Sequence, residues 1–279
     1  MRVNTTPYIF ILDLDNTIIG DCKYQCELYS LLLALKKVKV KSTIVDEAII
    51  KAYKKKSKLI RPYFLTFINN IKKYYPNSSI FIYTASQKDW AVKEIEIIEK
   101  SLDIKFERPL FTRDDCIMGG DMCYKKSIKK VLPKIITNLK KNKKQITDIN
   151  NKILIIDDKN TYIDFNDNLL ICPAYNYILF DNIWEKIPKI SLKYDTIKNL
   201  LKSFIKYELI SPINLSLYEY NMKKMKMMYK WLYTKCNAIN EYNNNYENDK
   251  FWRKLTKILI RNNIVKFDAN TVKNIKSKL

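Results

Sequence analysis

The chain has 279 residues, with 51 Lys and Arg against 29 Asp and Glu, a formal charge of +22 and no histidine. The lack of histidine excludes Ser-His and Cys-His catalytic pairs and any His-ligated metal, leaving carboxylates, Lys, Tyr and Cys for acid–base work. No apolar run reaches the roughly 18 residues that a bilayer span requires.

Residues 8–12 form an apolar, β-prone run that stops abruptly at Asp13-Leu14-Asp15-Asn16-Thr17. The sequence enters this strand with no basic, apolar leader ahead of it, so no secretory signal is expected. Residues 21–59 carry apolar residues at helical spacing and predict two Lys-rich helices. Arg61-Pro62 marks a boundary, and 63–75 predicts an amphipathic helix with Phe64, Phe67, Ile68 and Ile71 on one face. A Pro76-Asn77-Ser78-Ser79 turn leads to a buried strand over 80–83, which ends at Thr84-Ala85-Ser86. A helix is expected over 88–101, extended chain over 106–112, a loop at Gly119-Gly120 and a helix over 127–141 despite Pro133. Residues 152–156 form a second all-apolar strand, ending in Asp157-Asp158, and 168–172 one more. Strands alternating with helices argue for an α/β fold with a parallel sheet. From about residue 189 the pattern is helical and Lys-rich. Met222 to Met228 fit a core-facing helix stripe better than a functional surface. Trp231, Tyr233 and Trp252 among lysines could stack bases, but such residues are more often half-buried in helices.

Three strands thus end in polar chemistry: Asp13/Asp15/Thr17, Thr84/Ser86 and Asp157/Asp158. Parallel strands bring their carboxyl ends to one edge, where open α/β sheets bind ligands. Two carboxylates at the end of a buried strand are costly unless compensated, and oxygen-only ligands suit Mg²⁺. The plain alternative is that each Asp pair caps a turn. Six scattered cysteines fit reduced thiols better than a zinc site built from Cys22, Cys26, Cys116 and Cys123. The positive charge fits an anionic partner, but it also fits the Lys-, Asn- and Tyr-rich, Gly-poor usage of an A+T-rich genome.

The ordered motifs resemble the haloacid-dehalogenase-like (HAD-like) phosphatases. Within them they are similar to the RNA polymerase II CTD-phosphatase-like, NLI-interacting-factor-like group. The residues that carry this are Asp13-x-Asp15-x-Thr17, Arg61-Pro62 with Phe67, Ile82-Tyr83-Thr84-Ala85-Ser86, Phe111-x-Arg113 with Cys116, Tyr124-x-Lys126 and Ile155-Ile156-Asp157-Asp158. Asn16 stands where the group usually has Glu, and Ser127 where Asp is common. The resemblance covers about residues 7–188. It implies a Rossmann-like phosphatase domain over 1–188. Residues 21–59, longer and more helical than the family segment, are expected to form a helical, cap-like insertion, and the helical, Lys-rich pattern beyond the domain reads as a basic helical extension over 189–279. The resemblance further implies Asp13 as nucleophile and Asp15 as acid–base, with Thr17 supporting them. Thr84, Ala85 and Lys126 would bind substrate phosphate. Asp13, Asp15 (through its carbonyl), Asp157 and Asp158 would hold Mg²⁺. The implied substrate is a phosphoserine or phosphothreonine protein, possibly polymerase-CTD-like. A nucleic-acid 3′-end phosphatase and a HAD-fold scaffold or virion-associated protein remain alternatives. The composition suits a large DNA virus or an A+T-rich parasite, and a reducing cytoplasmic or nuclear setting, or a host cell or virion, is expected, with no membrane partner.

Overall fold

The computed structural model describes residues 7–54, 57–120, 123–141, 148–179, 193–197, 199–200, 239 and 241–279. The Met222–Met228 stripe, Trp231 and Tyr233 lie outside them. The chain divides into two compact units, one of Met1–Ile19, Ile60–Tyr175 and Asp249–Leu279, the other of Gly20–Leu59 and Asn176–Asn248.

The first unit is built on a four-stranded, all-parallel sheet of β1 (Ile9–Leu12), β2 (Ser79–Ile82), β5 (Ile153–Asp157) and β6 (Leu169–Ile171). They lie in the order β2-β1-β5-β6. All four lie within two residues of the runs that periodicity picks out. Short apolar segments buried on both faces are what a parallel sheet demands. A small antiparallel pair, β3 (Ile117–Met118) and β4 (Tyr124–Lys125), flanks the glycine loop.

Alternation along the strands sends odd-numbered side chains to one face. There Ile9, Ile11, Phe81, Ile153 and Ile155 pack with Ile128, Val131, Ile135 and Leu139 of helix α5 (Ile128–Lys141). Those helix residues recur every three or four positions, giving one apolar stripe. On the opposite face Phe10 meets Phe67 of α3 (Phe64–Tyr74) edge-on, with ring centroids 6.2 Å apart. Helix α4 (Lys88–Leu102) follows β2.

The division differs from a break at residue 188. Helix α6 (Phe251–Arg261) buries Phe251, Trp252, Leu255 and Leu259, and Trp252 lies 5.2 and 4.5 Å from Phe64 and Phe67. Phe267 packs edge-on against Phe10 at 5.8 Å, and α7 (Ala269–Lys278) closes the chain. The segment from Asp249 to Leu279 is therefore part of the sheet domain's core, because the α3 face needs a cover. Trp252 is fully buried and is a core residue, not a stacking platform.

In the second unit, residues 20–59 supply α1 (Lys23–Lys37) and α2 (Thr43–Ala52). They do not form an insertion on their own. Gly20 and Asp21 N–H donate to Leu59 O and Tyr177 O, each at 2.8 Å. Gln25 donates to Leu179 O, and Asn243 pairs with both backbone groups of Ile178. Gly20 is required by close approach, since a Cβ there would sit 2.0 Å from Tyr177 O. No helix among the described residues is long and apolar enough to cross a membrane.

Candidate active site

Register places the first carboxylate. Leu12 lies opposite Ile82 on one side and Ile156 on the other, so Asp13 emerges between Tyr83 and Asp157. Its N–H donates to Ile156 O at 2.9 Å, extending the sheet by one residue. Lys126, directly after β4 and just ahead of α5, reaches in from the side. Its Nζ donates to Asp13 Oδ1 at 2.6 Å and to Asp157 Oδ2 at 2.7 Å, and all three residues are buried. The rings of Tyr83 and Tyr162 flank the ammonium at 5.7 and 5.5 Å, close enough for cation–π attraction. The neighbouring Lys125 is only half-buried, so depth separates the two lysines that the sequence leaves adjacent.

Asp157 Oδ1 accepts the Lys159 N–H at 2.8 Å, and one carboxylate oxygen each from Asp13, Asp157 and Asp158 lie within 4.8 Å of one another. Burial pushes the Asp13 carboxyl up to about 8; Asp157 and Asp15 add to this while Lys126 opposes it. Burial likewise raises Asp158. For Lys126 burial acts downward, but Asp13, Tyr162 and Asp157 outweigh it and hold the ammonium well above its usual range. A raised Asp13 and a raised Lys126 pull opposite ways on their pair. The geometry supports a charged lysine, since bonds of 2.6 and 2.7 Å to two carboxylates are those of an ammonium. Two carboxyl groups share that one cation and a third, Asp158, lies beside them, so the cluster is rich in acid and short of positive charge. This all-oxygen donor set fits a hard divalent cation such as Mg²⁺.

The second carboxylate of the motif has different partners. Asp15 Oδ2 accepts from Ser86 Oγ at 2.7 Å and from Thr84 Oγ1 at 3.3 Å, while Ser86 N–H donates to Thr84 Oγ1 at 3.0 Å. Arg113 fixes this turn: its Nε donates to Ala85 O at 2.8 Å and its N–H to Ser86 O at 3.0 Å. The loop after Asp15 is tight. Asn16 adopts φ 61°, a left-handed conformation that Asn tolerates better than most residues. Ile18 N–H donates to Leu14 O at 2.9 Å. The buried Thr17 hydroxyl accepts from Cys172 Sγ at 3.8 Å, an anchor for the loop. Burial pushes that thiol up to about 12, against the pull of Arg61.

The structure thus gathers Asp13, Asp15, Thr84, Lys126, Asp157 and Asp158 at one sheet edge, with Ala85 in the turn and Thr17 behind the loop. Ser86 belongs beside Thr84: its bond to Asp15 is the shorter of the two, and the hydroxyl in the Tyr-Thr-Ala-Ser run was its signal. Asp164 gave none. It accepts from Ser127 Oγ at 2.6 Å and Ile128 N–H at 2.7 Å, and so caps the helix that follows Lys126.

An α/β domain with a lysine-bridged pair of aspartates at the carboxyl edge of a parallel sheet has the arrangement expected of a HAD-type phosphatase. Residues 8–199 match the family model described as NLI interacting factor-like phosphatase, and the chain belongs to that family. Among curated protein sequences none matches. Among solved structures it is similar to Fcp1, described as an essential RNA polymerase II CTD phosphatase, at 16% identity and TM-score 0.37, covering 96% of this chain and 69% of that one. A fission yeast Fcp1 variant with one arginine changed to alanine, bound to beryllium fluoride, gives 16% identity and TM-score 0.38, covering 96% and 70%. A phosphoserine phosphohydrolase-like protein of Francisella tularensis gives 15% and 0.26, covering 55% and 79%. The family match, rather than these remote likenesses, identifies the chain.

Proposed function

We propose that this phosphatase works through a phosphoryl-aspartate on Asp13 and that its substrate is phosphoserine or phosphothreonine in a protein, of the polymerase-CTD type. One observation carries the chemistry: carboxylates two residues apart have opposite surroundings, Lys126 for Asp13 and hydroxyl donors for Asp15. Such a split assigns different roles to like groups.

An Asp13 oxygen attacks phosphorus in line, and the bond to the ester oxygen breaks as Asp15 hands that oxygen a proton. Water then gives a proton back to Asp15 and attacks the same phosphorus. The bond to Asp13 breaks, and phosphate leaves. Lys126 and the Thr84 hydroxyl hold phosphate oxygens and stabilise the charge of the transition state. Asp13, Asp157, Asp158 and the Asp15 carbonyl would hold Mg²⁺, which supplies positive charge against carboxylate–phosphate repulsion.

The test sets a phosphoserine peptide against 3′-phosphorylated DNA and a small aryl phosphate, with Mg²⁺ and with chelator. Turnover of the peptide and the aryl ester, silenced by chelator and restored by Mg²⁺, is the expected result. Preference for the DNA end would install the nucleic-acid reading. No turnover of any substrate would leave a binding protein.

A further inference from the structure

Arg61 is 1% exposed, yet it carries a full charge into the sheet domain. Its partner comes from 188 positions away: Nε donates to Asp249 Oδ1 at 3.0 Å and an Nη to Asp249 Oδ2 at 2.8 Å, a two-bond fork. The guanidinium carbon lies 4.6 Å from the Phe251 ring centroid and 5.4 Å from that of Tyr175, and the other Nη donates to Cys172 Sγ at 3.6 Å. Asp249 is fixed in turn by the Phe251 N–H at 3.2 Å.

These neighbours converge on the reacting loop. Cys172 Sγ donates to Thr17 Oγ1. Tyr175 N–H donates to Asn16 O at 2.7 Å, and the Arg61 N–H itself donates to Ile18 O at 2.8 Å. Three consecutive residues, Asn16, Thr17 and Ile18, are therefore each held by Arg61 or by a group packed on it. They follow directly after Asp15 and include the left-handed Asn16.

We propose that Arg61 and Asp249 are positioning residues for the reaction: the buried fork fixes the 13–18 loop so that Asp13 and Asp15 keep their separate partners. The segment from Asp249 onward is thereby a working part of the active-site domain. The inference rests on the reading of Asp13 and Asp15 as the reacting pair. A fork is needed because lysine keeps the charge but loses the second bond and the stacked plane.

The experiment compares full-length Asp249→Asn, Arg61→Lys and Leu255→Ala, the last removing core volume in α6 well inside the same segment. Each is assayed on an aryl phosphate well below its melting temperature, and backbone hydrogen exchange is followed for fragments covering 13–19 and 153–157. Misplacing reacting groups by about an ångström can cost on the order of a hundredfold, so Asp249→Asn and Arg61→Lys should lower kcat by roughly ten- to a hundredfold with little change in KM. Exchange should quicken in 13–19 but not in 153–157. Leu255→Ala should melt earlier yet keep kcat and loop protection. If Asp249→Asn does not fold, Asp249→Glu, which keeps the charge and shifts the fork, should give the same signature in weaker form. The inference is overturned if Leu255→Ala reproduces the loss of kcat and of loop protection, or if the fork variants keep both. A wild-type protein without turnover would remove the proposed reaction, and loop exchange alone would still decide this role.

Discussion

Two lysines near helix α5 make ion pairs of almost the same length in opposite settings. Lys126 lies 2.6 Å from Asp13 with 3% of its side chain exposed, whereas Lys134, on the outer face of the helix, lies 2.7 Å from Asp115 with 57% exposed. Distance does not set their worth. Around Lys134, water and salt screen the attraction, and the side chain loses freedom for little gain. Around Lys126, desolvation is costly for every charge, so removing one partner leaves the others unpaired and buried. A stability-driven core would avoid two buried carboxylates on one ammonium with a third carboxylate beside them. Under the proposed function, that surplus of acid is where a further cation and an anionic substrate would bind.

The comparison breaks first at Asp13. Asp13→Asn should leave the protein folded while lowering turnover roughly a thousandfold or more, because the proposed covalent step rests on this carboxylate; steady-state rates beside a circular dichroism spectrum check both halves. Retained turnover in a folded variant would end the assignment.

Lys126→Met should be the next largest, and unlike the first it should damage both properties. It strands Asp13 and Asp157, so about 3–5 kcal/mol of stability should go, as expected for a broken buried pair, together with most of the turnover. Urea denaturation with a parallel rate assay measures the two. A loss of rate with unchanged stability would mean that the carboxylates are neutral in the resting protein.

An intermediate case sharpens the contrast. Glu99 is buried, which alone would raise its pKa, but bonds from Arg108 and the Phe106 N–H, with the charges of Arg108 and Lys105, outweigh this and hold it below its ordinary 4.5. A depressed carboxyl stabilises the fold above the unfolded value and loses that contribution as pH falls through the folded value. Glu99→Gln should therefore cost about 1–2 kcal/mol at neutral pH, discounted for the part-exposed Arg108. The gap from wild type should close below pH 4.5, and melting temperatures across roughly pH 3–7 test it. A gap that stays constant would assign the effect to packing. At the small end, Lys134→Ala should shift stability by no more than about 0.5 kcal/mol. A larger shift in urea denaturation would show that the exposed pair is not screened as its setting implies.

The sequence alone determined the parallel sheet and which polar residues stand at its carboxyl edge. Apolar runs of four or five residues read as buried strands at short range, and Asp13, Asp15, Thr84 and Asp157-Asp158 stand directly at their ends, so period and position sufficed to place them together. The resemblance singled out Lys126 over its neighbour Lys125, and the structure adds the difference in depth, which spacing does not encode. Only tertiary structure showed that α6 and α7 roof the sheet, since an amphipathic stripe states that a helix must be covered and not by what. The same holds for the Arg61–Asp249 fork. Its partners are 188 positions apart, and nothing local to either residue marks one as the other's counter-charge. Long-range pairing is decided by which surfaces the fold brings together, and there the one-dimensional pattern carries no signal.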